Sequence, residues 1–224
     1  QSYGISNGKQ FNNCDVYLNN EYGIAGNSAK IHYSRIYENT GHGISGVMHV
    51  SQSEIRANGN YGISAAWNAT IVENIILDNG SYAISGGSSI RYNTIENNNG
   101  NAISCDTNAD VVGNNILSNS GSAISGGYLI TDNLIDDNGS NSNAAIINCN
   151  SYATIENNII RNNKGYAIYN GKNIRLNQIL NNTTSAHNFI DAPQLLEFTD
   201  NIIIGNNVSD GVFIYGSELT NFSG

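Results

Sequence analysis

The groups in this chain that could do chemistry are few. There are three cysteines, four histidines, and 18 carboxylate side chains against nine lysines and arginines. Acid–base cleavage of a polysaccharide needs two carboxylates about 5–10 Å apart. Asp106 and Asp110 are close in sequence but have no basic companion beside them. Asp136 and Arg161 read as an exposed ion pair, worth about 0–1 kcal/mol. His32, His42, His49 and His187 are not at metal-ligand spacing. No catalytic residue, cofactor site or metal site is therefore assigned. Asp132, Asp136 and Asp137 offer oxygens for weak calcium binding at most, without the Gly- and Asp-rich nonapeptide calcium repeat.

The elements that must position these groups follow from a phrase that recurs along the chain. Tyr3-Gly4-Ile5, Tyr22-Gly23-Ile24, His42-Gly43-Ile44, Tyr61-Gly62-Ile63, Tyr82-Ala83-Ile84 and Tyr166-Ala167-Ile168 are copies of it. Ile103, Ile124, Ile146 and Ile190 continue the same column. A second apolar column runs from Phe11 and Ile31 to Ile174 and Phe198, and a third from Val16 and Ile36 to Ile179 and Ile203. A period near 20 residues marks a solenoid, in which each repeat buries its apolar face only by stacking on its neighbours. Short segments rich in β-branched residues suit strands. The expected fold is all-β: a right-handed, single-stranded parallel β-helix of about ten coils, with three short strands per coil. Stacking at about 4.8 Å per coil gives a rod of about 48 Å. Residues 1–206 form the β-helix, and 207–224 a C-terminal strand or tail that caps or packs against it.

Asparagine, about one residue in five or six, falls at the corners. One ladder is Asn19, Asn39, Asn58, Asn79, Asn98, Asn119, Asn138, Asn163, Asn182 and Asn206. A second runs from Asn74 to Asn201, with Cys14, Ser34 and Ser53 in its first places. Asparagine tolerates left-handed backbone and can hydrogen-bond to the amide above and below. The segment between first and second columns alternates in length. Every second coil thus carries a longer loop, and the residues beside the first column, Gly23 and Ala25 onward, read as a flat outer face. Segments Asn138–Ile146 and Asn182–Ile190 read as insertions.

Asn74-Ile75-Ile76-Leu77-Asp78-Asn79 and Gly43-Ile44-Ser45 exemplify N-x-I-x-x-N and G-I-S coil signatures. With these the chain resembles the right-handed parallel β-helix superfamily. That group includes pectate-lyase-like enzymes, polysaccharide epimerases and hydrolases, phage tailspikes and microbial surface proteins. The resemblance covers nearly the whole chain and implies fold more than activity. Its enzymes place acidic groups, or a basic residue beside calcium, on one outer face; here neither row flanking the third column has carboxylates on adjacent coils.

The net charge of −9 argues against nucleic acid, and no apolar run is long enough for a membrane span. Gln1 opens directly in the repeat, as in a mature or trimmed form. Tyr3, Tyr22, His42, Tyr61 and Tyr82 form an aromatic row that either stacks structurally or serves as a glycan platform. Ile75, Leu77, Leu117, Leu134, Ile159, Leu180, Ile202 and Ile204 flank inward residues of the third strand and should point outward as an assembly interface, unless Val212, Phe213 and Ile214 fold back over them. Neither end has an evident cap. Cys105 and Cys149, two coils apart, are too distant for an unstrained disulfide and suggest intermolecular bridges, with buried free thiols as the alternative. These features favour a non-enzymatic extracellular structural protein: a self-associating building block of a cell-surface sheath, surface layer, filament or adhesin stalk. A polysaccharide lyase, epimerase or hydrolase is the second reading. A carbohydrate-binding module or tailspike fragment is the third.

Overall fold

The structure, a computed structural model, describes residues 3–140, 144–209, 212–217 and 219–223. It is a parallel β-solenoid of about ten turns, with no helix among the described residues. Turn 5 shows the plan, with strands at Ile84–Ser85, Ser89–Arg91 and Thr94–Glu96. The first and second strands of all turns join in one parallel sheet, and the third strands stack in a separate ten-stranded sheet. In turns 2 to 4 the first two strands fuse, as in Tyr22–His32, Ile44–Ser51 and Ile63–Val72.

Strand register matches the apolar columns. Ile84 pairs with Ile103, Ile90 with Val111 and Ile95 with Ile116. These residues are wholly buried. Each buried isoleucine contributes about 1.5–3 kcal/mol of transfer free energy. One column position differs from expectation: Ile147, not Ile146, pairs with Ile124 and Ile168. Ile146 takes the inward place held by Gly or Ala in turns 2 to 7 and by Ala167 in turn 9, as the buried Phe189 does in turn 10. Its Cδ1 occupies the space where a side chain on Gly139 or Gly165 would go. With Ile147 in register, the step to Ile155 equals those from Ile63 to Ile71 and from Ile103 to Val111. The long-loop alternation is thereby more regular than the sequence alone suggests.

Both asparagine ladders form along the solenoid. Asn79 shows the pattern: its Oδ1 accepts from the backbone N–H and Nδ2 of Asn58, at 3.2 and 3.0 Å. Its own Nδ2 is shared among Asn98 Oδ1, the Ile55 carbonyl of the preceding turn and the Leu77 carbonyl of its own turn. The second ladder begins Cys14 N–H to Ser34 Oγ, Ser34 N–H to Ser53 Oγ, and Ser53 N–H to Asn74 Oδ1. The left-handed residue at each corner is the one before the ladder position, rather than the asparagine itself. Leu18, Glu38, Ala57, Asp78 and Ser118 precede one ladder, and Tyr33, Gln52, Glu73, Tyr92 and Leu176 the other, all with φ between 49° and 57°. Ordinary side chains are costly there, by about 1–2 kcal/mol each. The corner bonds of the following asparagine hold the bend.

Of the small residues beside the first column, Ala25, Ser45, Ser64, Ser85, Ser104 and Ser125 are partly exposed and stack in register, but those on the other side do not belong to an outer face. Gly23, Gly43, Gly62, Ala83, Ala102 and Ala123 are buried. A Cβ on Gly23 would lie 2.7 Å from both Asn39 Nδ2 and Ile36 Cγ2. The corner turns two successive residues inward, and in turns 2 to 7 the first is Gly or Ala, lying against a ladder amide. Val212–Tyr215 does not fold back over the third-strand face. It pairs with Asn188–Asp191, and Asn221–Ser223 pairs with Glu197–Thr199, adding two strands of a further turn. Thus Val212–Tyr215 and Asn221–Ser223 continue the stack.

Candidate functional site

Outward positions repeat once per turn, so candidate groups are arranged as rows along the rod. In the aromatic row, Tyr22, His42, Tyr61 and Tyr82 stack face to face, with centroids 4.7–5.2 Å apart and interplanar angles of 6–15°. Tyr3 is tilted at 54° against Tyr22. Ring faces are therefore occupied by neighbouring rings, and edges face solvent. His42 Nδ1 accepts from the Tyr61 N–H at 3.2 Å, which sets its tautomer, and burial lowers its pKa. Beside Tyr3 and Tyr22 lies an open cleft of about 380 Å³, with Ser6, Asn7, Asn27 and Ser45 on its walls.

The eight apolar residues of the third strand lie on the outer face of the ten-stranded sheet. Ile75, Ile202 and Ile204 are 48%, 50% and 62% exposed, and the five others are partly buried. They do not make one continuous band. Thr94 and Glu96 separate Ile75 and Leu77 from the later turns, and Leu117 pairs with Asp136. Leu134 and Ile159 are adjacent, as are Leu180 and Ile204. One wholly polar rung, Thr94 and Glu96, splits the face, and from Leu117 to Leu180 apolar and polar residues share each rung.

Charged groups are used between turns. Arg161 meets Asp136 at 2.7 Å, in agreement with the expected exposed pair. Arg35 binds both oxygens of Asp15, and its hydrogen bond holds the Asp15 carboxyl below the usual range. Arg91 meets Asp110, while Arg175 lies between Glu156 and Glu197 at 3.1 and 3.3 Å. A carboxylate held by a guanidinium is a poor proton donor at neutral pH. Asp132 accepts from Asn157, and Asp137 from Ser118. Asp132, Asp136 and Asp137 do not converge, and among the described residues no three His, Cys, Asp or Glu groups gather as a metal site.

Cys105 and Cys149 are free thiols buried in the loop corner, with Gly126 of the intervening turn between them. Burial pushes both thiols up to about 12. A bridge to another molecule would first require this corner to open. Cys14 is partly exposed and begins the second ladder.

Several features escape sequence reading. The turns at Gly46, Gly86 and Gly126 need glycine, because φ is positive and a Cβ would lie 2.2–2.3 Å from a carbonyl oxygen of the preceding turn. Longer loops project between them, and Asn150 Nδ2 reaches across a short turn to the Thr107 carbonyl. This edge also displays Trp67, Tyr128 and Tyr152, all exposed, with Lys172 Nζ 5.6 Å from the Tyr152 ring centroid. Loop positions have no fixed register in sequence, so the aromatics gave no periodic signal. Of the insertions, Asn138–Ile146 includes 141–143, which lie outside the described residues. Thr183–Thr184, in the other, pairs with Asn207–Val208. His32 and His49, near the same strand of neighbouring turns, are brought together with ring centroids 4.8 Å apart.

No helix is long and apolar enough to cross a membrane, among the described residues. No family model matches the chain, and neither curated proteins nor solved structures provide a significant match.

Proposed function

We propose that the chain is a non-enzymatic extracellular structural protein, a stiff β-solenoid building block of a cell-surface sheath, layer, filament or adhesin stalk that associates with copies of itself. The observation carrying this reading is the unbroken use of corner positions for turn-to-turn bonding. From turn 1 to turn 10, both ladders keep a hydrogen-bonding side chain at each rung. A catalytic site is a place where a fold commonly breaks its local rules, and the ladders have no such break. The apolar clusters around Ile75, Leu134 and Ile204 favour lateral contact with a second rod. The reading also draws on the resemblance to microbial surface proteins of the right-handed parallel β-helix superfamily, through the N-x-I-x-x-N pattern that recurs from Asn74 onward.

Sedimentation velocity over a range of concentrations, with electron microscopy of the associated fraction, tests the reading. Concentration-dependent sheets or filaments are expected. A monodisperse chain that depolymerises an acidic polysaccharide would favour the enzyme instead. Carbohydrate binding is a second reading, supported by the exposed Trp67, Tyr128 and Tyr152 edge. Glycan-array binding lost on Trp67→Ala would support it; no array signal would remove it.

A further inference from the structure

His32 and His49 belong to second strands of neighbouring turns, on the outer face. Register sets Lys30 beside His49 and His32 beside Ser51, so the imidazoles meet diagonally across the inward Ile31–Val50 pair. Their centroids are 4.8 Å apart and the planes are inclined at 41°. A tetrahedral ion bound at about 2.0–2.1 Å needs two nitrogens about 3.3 Å apart. A ring nitrogen lies about 1 Å from its centroid, so centroids 4.8 Å apart put that separation within reach once both rings turn toward one ion. His32 Nδ1 lies 2.6 Å from Ser51 Oγ, which orients the ring and leaves Nε2 available. The strands carrying both rings are paired on each side, so the two backbones are held in place.

We propose that His32 and His49 form a two-imidazole site for a borderline divalent transition ion, Zn²⁺, Ni²⁺ or Cu²⁺, with water completing the coordination. This goes beyond the structural role. No third His, Cys, Asp or Glu joins the pair among the described residues, so the remaining positions are open to solvent or to an added ligand. Imidazole nitrogens select these ions over calcium and magnesium. The Lys30 ammonium opposes a cation electrostatically, and Lys30→Gln should therefore tighten binding.

The test is calorimetric titration of the full chain with NiCl₂ at pH 7.5, accompanied by ¹⁵N NMR with substoichiometric Ni²⁺. One saturable ion per chain is expected, reversed by EDTA. His32→Ala or His49→Gln should weaken it at least tenfold, Ser51→Ala by about tenfold, and His187→Ala not at all. Line broadening in the unsubstituted chain should centre on residues 32 and 49. Absence of saturable binding, broadening centred elsewhere, or unchanged binding in a folded double variant of His32 and His49 would overturn the proposal. The NMR result stands even if a variant misfolds.

Discussion

Replacing Asn114 by alanine probes what holds the turns in register. Asn114 is wholly buried. Its Oδ1 accepts from the Asn93 N–H and Nδ2 at 2.9 and 3.0 Å, and its Nδ2 reaches the Ile90 and Val112 carbonyls at 3.0 and 3.2 Å. In the alanine variant Asn93 Nδ2 keeps its bonds to the Ile71 and Arg91 carbonyls, and Asn133 Oδ1 keeps the Asn114 N–H. What is lost outright is the acceptor for the Asn93 N–H and the side-chain donor to two carbonyls. The Val112 carbonyl keeps the Tyr92 N–H, so the Asn93 N–H and the Ile90 carbonyl are counted, and at about 1–3 kcal/mol for each buried group left unsatisfied the cost is about 2–6 kcal/mol. Urea unfolding gives the stability, and amide exchange at Asn93 locates the loss. Asn99→Ala, on the exposed side of the same region, should stay within about 0.5 kcal/mol. Asn114→Asp is the sharper variant, since a carboxylate keeps the acceptor and sets a charge against two carbonyls. Its folded pKa would rise above the unfolded value, so this variant should regain stability as pH falls through the raised pKa. Equal costs for Asn114→Ala and Asn99→Ala, or unchanged exchange at Asn93, would refute the reasoning.

Other outcomes follow from corners and titrating groups. Gly126→Ala, with φ of 103° and a Cβ 2.3 Å from the Cys105 carbonyl oxygen, should destabilise by at least about 2 kcal/mol in the same unfolding assay. Ala57→Gly, at a left-handed corner with φ of 52°, should instead stabilise by up to about 1 kcal/mol. His42 and His49 both have pKa values lowered in the fold, by burial first. The unfolded chain thus binds more protons below its imidazole pKa of about 6.5. Thermal melts should accordingly show stability that is full above that pH and falls as pH drops toward the lowered folded values. With thiols at about 12, Cys105 and Cys149 should resist a thiol reagent at pH 8 until the chain unfolds, whereas Cys14 should react in the native state.

The columns and ladders were legible because a solenoid returns each residue type to the same place every turn. Ile95 and Asn98 could be placed from their spacing to Ile116 and Asn119, and the register agrees. The corner mechanics were not legible, because positive φ falls on Leu18, Glu38 and Tyr92, residues whose types give no such signal. Ile146 misled because an inserted segment shifted the repeated phrase by one residue, and only strand pairing distinguishes two adjacent buried isoleucines. The inward Gly23 row was misread because alternation fails at a corner where two successive residues point inward. The repeat places His32 and His49 near the same strand of neighbouring turns, while the diagonal that brings the rings together comes from the strand register.

The central claim, a rod that works by associating with copies of itself, is tested most directly by sedimentation velocity of the intact chain across a hundredfold range of concentration. Reversible, concentration-dependent association is expected, weakened by Ile75→Lys with the β-sheet circular dichroism spectrum left intact. A chain that remains monomeric throughout, or associates equally well with Ile75→Lys, would contradict it.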